Sequence, residues 1–366
     1  MKKMNKRLIA INLPQFHPFK ENDEWWGEGF TEWTNVVKAR PRFRGHYQPH
    51  LPSETGFYDL RKPEVRQMQA DLARQYGIYG FCYYHYWFNG KQLMELPVKE
   101  ILSSQKPDFP FMLCWANENW TRAWDGGEKE ILIEQFYSEE DDIAHMEYLC
   151  TNVFADPRYI RINNRPFFVI YRPELFPNIK NTIKTWREIA SKHGIGLYLG
   201  FMRTDNVSRQ VLLDSGFDVS IDFQPHFIFP RKWWLDKNIL INCFRRRFLK
   251  KTPIMPVLWN YQKYVEKACL DFIHSKIKEF PGITPYWDNS PRRIGREFFA
   301  LKNSTPQLYK KWLCFLFEHF KPYSSEENFI FINAWNEWGE GCHLEPDQKW
   351  GRAYLEMTKK ATEEKN

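Results

Sequence analysis

The sequence predicts an α/β fold, a single (β/α)8 TIM barrel with long loop insertions at its C-terminal face, as one domain over residues 1–366. Apolar runs rich in aromatic and β-branched residues alternate with amphipathic stretches along the whole chain, and eight such runs are present. Strand alternating with helix makes a parallel sheet, and eight repeats close it into a barrel. The residue clusters suited to chemistry follow the apolar runs, as they do where a site is built from loops at the C-terminal strand ends.

In order along the chain, strands are expected near 8–13, 78–84, 110–115, 166–171, 196–201, 217–223, 282–287 and 328–334. Between them, helices are expected near 63–76, 92–104, 138–153, 178–193, 206–214, 260–279 and 305–320, with a last one near 350–363. Phe329 to Ile332 is aromatic and β-branched throughout, as a buried strand requires. Two connections are too long for ordinary loops. Residues 14–62, with Trp25, Trp26, Trp33, Tyr47 and several prolines, are expected to form an ordered flap over the barrel mouth, where Trp33 offers stacking surface. Residues 224–259 carry Trp233 and Trp234, then Ile239 to Ile241, then Phe244 and Phe248 among Arg245, Arg246, Arg247, Lys250 and Lys251. Over 231–251 that mixture predicts either a helix in peripheral contact with an anionic membrane or tryptophans packed on the barrel beneath solvated charges.

A formal charge of +7 over 366 residues is far from the density of a dedicated nucleic-acid binder. Sixteen tryptophans and an aromatic content of 17% point to carbohydrate, because aromatic faces stack on the C–H faces of sugars. Seven cysteines, an odd number without a Cys-x-x-Cys pair, read as reduced residues of a cytoplasmic protein. The basic N-terminus is followed only by Leu8 to Leu13 before Pro14, shorter than the apolar core of a signal peptide, about 7 to 15 residues. No transmembrane run appears.

The last strand ends in Asn336-Glu337-Trp338-Gly339-Glu340-Gly341. Two glutamates at i, i+3 on a glycine-shaped turn converge, and glycosidases commonly work with such a pair. Carboxyl groups about 5 Å apart suit retention of configuration, and separations of about 6.5 to 9.5 Å suit inversion. The alternative is a pair of solvated surface glutamates.

Six ordered motifs carry a resemblance: Leu13 to Pro18, Glu28 to Asn35, Gly80 to Phe88, Cys114 to Trp120, Tyr286 to Arg292 and Asn333 to Gly341. Together they resemble the WbsX-type family, related to glycoside hydrolase family 99, over nearly the whole chain. Members of that group are often found with bacterial surface-polysaccharide synthesis functions, and family 99 enzymes are retaining endo-α-mannosidases on a (β/α) barrel. The resemblance implies that Glu337 deprotonates or hydrogen-bonds the sugar 2-hydroxyl, which displaces the leaving group through an anhydro-sugar, while Glu340 is acid and then base. The departure is Gly339, where family 99 often has a bulkier residue, so mannose specificity does not carry over with the motif.

The remaining candidates are expected to bind substrate. Gln15 and His17 follow the first strand; Tyr84, His85 and Trp87 end the second; Trp115, Asn117, Glu118 and Trp120 end the third. His226 follows the sixth strand, Trp287 and Asp288 the seventh, and Trp335 and Asn336 the eighth. Asn117 and Glu118 form either a sugar subsite or a buried network holding the rim, and the histidines either bind hydroxyls or are satisfied structural residues. Asp288 and Arg292 either contact substrate or pair with each other. With no His-x-His or His-x-x-His spacing, neither metal nor cofactor is expected. Neither a Gly-x-Gly-x-x-Gly nor a P-loop occurs, which weakens the alternative of a sugar-nucleotide glycosyltransferase in O-antigen or capsule biosynthesis. A second alternative is a non-catalytic carbohydrate-binding protein.

Overall fold

The computed structural model describes residues 5–122, 127–204, 206–226, 237–249, 255–293 and 297–365. Nine parallel strand segments form the central sheet: β1 (Arg7–Asn12), β2 (Ile78–Phe88), β3 (Phe111–Trp115), β4 (Arg165–Ile170), β5 (Tyr198–Met202), β6 (Val219–Ile221), β7 (Glu279–Phe280), β8 (Gly282–Ile283) and β9 (Phe329–Ile332). Their spatial order is β7-β6-β5-β4-β3-β2-β1-β9-β8. β7 and β8 are two halves of one stave, interrupted at Pro281, which has no N–H for a ladder. The first half pairs with β6 and the second with β9, so the order closes into a barrel of eight staves, nearly complete around its circumference.

The strands are continuous apolar runs because both faces are covered, by side chains inside and helices outside. Phe168, Val169, Phe201, Val219, Ile221, Phe280 and Ile283 have no measurable exposure. The outer helices show the complementary pattern. On α6 (Ile179–Lys192), Ile183, Trp186, Ile189 and Ala190 are buried at helical spacing, and Asn178 caps the start by accepting from Asn181 N–H. Ser138 and Thr305 do the same for α5 (Glu139–Asn152) and α10 (Pro306–His319).

Further helices are α3 (Pro63–Gln75), α7 (Arg209–Asp214) and α11 (Ala353–Lys365), and the expected elements are found with three adjustments. The helix expected from 92 begins at Leu96, as α4 (Leu96–Ser104), because Asn89-Gly90 adopts positive φ at both positions and folds Lys91–Leu93 back on the end of β2. Paired positive φ is what a two-residue hairpin turn demands. The seventh stave begins three residues earlier than expected, at Glu279, because α9 (Tyr261–His274) ends before it. Within the flap of residues 14–62 lie two short helices, α1 (Lys20–Trp26) and α2 (Glu32–Lys38), the second opened by a capping box between Thr31 and Thr34. In the second insertion, α8 (Lys237–Phe248) precedes a strand, Val257–Asn260, that pairs with Phe299–Lys302. Trp233 and Trp234 lie outside the described residues. Among the described residues, no helix is long and apolar enough to cross a membrane.

Candidate active site

The site begins where β9 gives out. Past Ile332 the chain folds onto the end of β1: Trp335 N–H donates to Ile11 O at 2.7 Å, and the Asn336 amide both accepts from Leu13 N–H (2.7 Å) and donates to Leu13 O (3.0 Å). Asn336–Glu337 then pairs with Cys342–His343 in a minimal hairpin around the 3₁₀ turn Trp338–Glu340. Gly341 closes the turn at φ +59°, and a Cβ there would lie 3.1 Å from Asp288.

This turn sends Trp338 inward and both glutamates toward the mouth. Trp338 stacks on His343 with ring centroids 3.6 Å apart and donates to Glu345 Oε2 at 2.7 Å. Glu345 also receives Trp335 Nε1–H, Gln69 Nε2–H and the Tyr58 hydroxyl. Burial pushes Glu345 up to about 7 despite those four donors, and its role is to fix both indoles and hence the turn.

On the mouth side, one guanidinium gathers three carboxylates. Arg292 Nη2 donates to Glu337 Oε2 at 2.7 Å, its Nη1 lies 2.7 Å from Glu340 Oε1, and Nε and Nη2 donate to Glu32 Oε1 at 3.0 and 2.8 Å. Glu337 and Glu340 therefore face each other across a single guanidinium. The Glu337 side chain is 6% exposed and that of Glu340 24%, so one carboxylate is sheltered and the other reaches solvent. Burial pushes Glu337 up to about 8; Arg292 opposes the rise, and Glu340 and Glu32 add to it.

The pair opens into a cleft of 210 Å³ walled by Tyr84, Tyr86, Trp120, Tyr171 and Phe223, with Glu118 and Asn119 at its rim. Burial and, after it, the charge of Glu337 push the Tyr86 phenol well above its usual range, so its O–H stays a donor within the cleft. An aromatic wall beside paired carboxylates suits a sugar ring, whose C–H face stacks while its hydroxyls meet charged acceptors.

Strand alternation decides which candidates reach this cleft. Tyr84 and Tyr86 line it, whereas His85 and Trp87, on the opposite face of β2, lie under α5: His85 Nε2 is 2.9 Å from His145 Nε2, and Trp87 donates to Asp141 at 2.9 Å. Trp115 is fully buried against Trp186 and Phe176. Asn117, also buried, ties Arg172 O and Tyr137, the network reading of that residue, while Glu118 pairs with Arg172 at 2.9 Å on the rim. Trp120 lines the cleft, edge-on to Tyr86. Trp33 is 8% exposed, packed on Phe16, Tyr58 and Trp338 and bonded to Tyr58 O, so it sits beneath the flap rather than in the cleft. Trp335 and Asn336 support the turn from behind. Gln15 and His17 are buried: Gln15 O accepts from Glu32 N–H at 3.2 Å, and His17 Nδ1 is 3.0 Å from Pro18 O. His226 lies 3.5 Å from Asp222.

Asp288 does not pair with Arg292. Its carboxylate meets His46 Nε2 at 2.5 Å and Gln48 Nε2 at 2.7 Å, and with Trp287 it lines a separate cavity of 320 Å³. Its backbone N–H donates to Glu340 O at 2.7 Å, which braces the turn that carries both glutamates. Beneath that turn, His50, His343 and Asp347 place ligand atoms within 4.8 Å of one another. His50 Nδ1 and His343 Nε2 are 3.2 Å apart and the Tyr286 hydroxyl is 2.6 Å from the same His343 nitrogen, so hydrogen bonds already engage the ring positions a cation would use. The residues that pattern reading did not select, Tyr86, Tyr171, Phe223, Asn119 and Glu32, share one signal: each lies at or just past a strand end or inside a motif already conspicuous for other residues.

The fold is that of known glycosidases. The endo-α-mannosidase of glycoside hydrolase family 99 from Bacteroides thetaiotaomicron superposes with a TM-score of 0.58 at 14% identity, covering 99% of this chain and 98% of that one. A glycoside hydrolase-like protein superposes equally well, at 12% identity over 98% and 94% of the two chains. In sequence, the uncharacterized protein WxcX of Xanthomonas campestris pv. campestris, strain B100, is 39% identical over 361 residues, 97% of this chain. The chain spans about half the length of that curated relative, 49%. The family described as Glycosyltransferase WbsX matches residues 8–358, from the first stave into the last helix, and with nearly all of the barrel inside that match the chain belongs to the WbsX family.

Proposed function

We propose that this chain is a glycoside hydrolase, or a transglycosidase using the same intermediate, that acts with retention on a bacterial surface polysaccharide or its lipid-linked precursor. One observation carries the reading: Glu337 and Glu340 face a common aromatic cleft across one guanidinium. The ionised form of Glu337, which burial makes a stronger base, takes the proton of a sugar 2-hydroxyl, and that oxygen closes on C1 as the C1–O bond breaks. Glu340, the solvent-reaching partner, delivers a proton to the departing oxygen. It then takes one from the water or acceptor hydroxyl that opens the anhydro-sugar. Seven free thiols suit a cytoplasmic site of action.

The family's description as glycosyltransferase keeps a transferase as the second reading. Titration with nucleotide sugars, and separately with mannose-, glucose- and rhamnose-type oligosaccharides, tests between them. A hydrolase is expected to melt higher with an oligosaccharide and not with a nucleotide sugar, because only a ligand of the folded state raises its stability. A diphosphate-dependent rise instead would overturn the reading. Soaking the same panel into crystals locates the ring relative to the glutamates.

The location we propose is peripheral to the inner membrane. On α8, Leu240, Phe244 and Phe248 recur at i, i+4 and i+8 and are 42, 55 and 67% exposed, beside exposed Lys237 and Arg247. Each basic group near an anionic surface contributes about 1 kcal/mol. Binding to anionic liposomes is expected at low salt, lost at high salt and on changing Arg245, Arg246 and Arg247 to Glu; no sedimentation of the unaltered protein at low salt would sink the idea.

A further inference from the structure

Glu32 is the first residue of α2, in the flap, 260 positions from Arg292, yet its side chain is fully buried against the catalytic turn. It takes two of the five guanidinium N–H groups, more than either Glu337 or Glu340. Room for it exists because residue 339 is glycine. A Cβ there would fall 1.9 Å from Glu32 Oε1 and 2.9 Å from Arg292 Nε, so any side chain at 339 would expel the carboxylate. Glu32 and Gly339 are thus one device, with the carboxylate from the flap filling the space that the turn leaves empty.

Resting on the hydrolase reading above, we propose that Glu32 is a third working carboxylate of this site, a positioning residue that holds Arg292 between Glu337 and Glu340 and sets how firmly Glu337 keeps its proton. It does not line the cleft. Its effect runs through the guanidinium. One cation cannot neutralise three clustered carboxylates, two of them sheltered, so the cluster retains a proton near neutral pH. Burial pushes Glu32 up to about 7 and Glu337 up to about 8; the charge of Glu340 adds to both rises, and that of Glu32 adds to the rise of Glu337. When Glu337 accepts a proton and loosens its hold on Arg292, Glu32 keeps the guanidinium in place for Glu340.

The test needs no substrate. With glutamate carboxyl carbons labelled by ¹³C in the whole chain, the resonance lost in Glu337→Gln identifies Glu337. In Glu32→Gln its titration midpoint is expected to fall by about one unit or more, as removal of a close like charge requires. A midpoint that stays in place overturns the proposal. A second measurement covers the case of poor folding in that variant. Gly339→Ala is expected to lower the melting temperature of the otherwise unaltered chain by several degrees and to cost much less in a Glu32→Ala background, because the added Cβ then has room. An equal penalty in both backgrounds also overturns it. Should a substrate be found, the rising acidic limb of kcat/KM moves to lower pH in Glu32→Gln. A chain that hydrolyses nothing still answers the titration, so failure of the hydrolase reading and failure of this proposal are separable.

Discussion

Glu340→Gln and Glu337→Gln are each expected to keep the barrel and to lose about 10²- to 10⁴-fold in turnover, the usual worth of a positioned proton transfer. Carboxylate and amide have nearly the same shape, and the Gln carbonyl still accepts from Arg292, so the turn survives while the chemistry does not. A leaving group that needs no proton should rescue Glu340→Gln and leave Glu337→Gln inactive, which assigns acid and base. Two variants that turn over an identified substrate at the unaltered rate would refute the assignment. Stability gives a second readout. Burial pushes Glu337 up to about 8 in the folded chain, from about 4.3 in an unfolded one, so the folded state holds a proton that the unfolded state releases. Its ionisation therefore removes stability as pH rises through that window, and Glu337→Gln should melt higher than the unaltered chain at pH 8 but not at pH 4.

The barrel was legible because its evidence is local. Each stave is a run of apolar residues, each helix an amphipathic period, and the two fix strand order once parallel pairing is granted. The glutamate pair was legible for the same reason, three residues apart on one turn. What sequence concealed was direction and distance. Tyr84, His85, Tyr86 and Trp87 look alike as a motif, but a strand sends alternate side chains to opposite faces, and the pattern alone does not say which face is the mouth. Trp115 and Trp335 were conspicuous as substrate-binding candidates, yet both are among the largest fully buried side chains, where indoles serve packing. The tryptophan count signalled a core as much as a ligand. Arg292 was in view beside Asp288, the nearer acid, but its partners come from β9's turn and from the flap, 260 residues away in the case of Glu32. No period or spacing encodes such a contact.

Arg292 is the residue whose loss should cost the fold most. Replaced by Met, it leaves Glu32 with no exposure and Glu337 nearly buried, both without their cation, and breaking a buried ion pair from one side typically costs about 3–5 kcal/mol. That is a large part of the stability of an ordinary domain. The deficit must depend on pH in a definite direction. Without the guanidinium, the carboxyls rise further above their unfolded values, so the folded variant binds protons that the unfolded chain gives up; its stability falls as pH increases from about 4.3 upward and recovers as pH decreases. Denaturant unfolding at pH 5 and pH 8 should therefore show Arg292→Met close to the unaltered chain at the lower pH and well below it at the higher. Adding Glu32→Gln to Arg292→Met should return part of the loss at pH 8, since one of the stranded charges is gone. Equal stability of Arg292→Met and the unaltered chain at pH 8 would mean that water, not Arg292, compensates these carboxylates, and the three-carboxylate cluster would lose its physical basis.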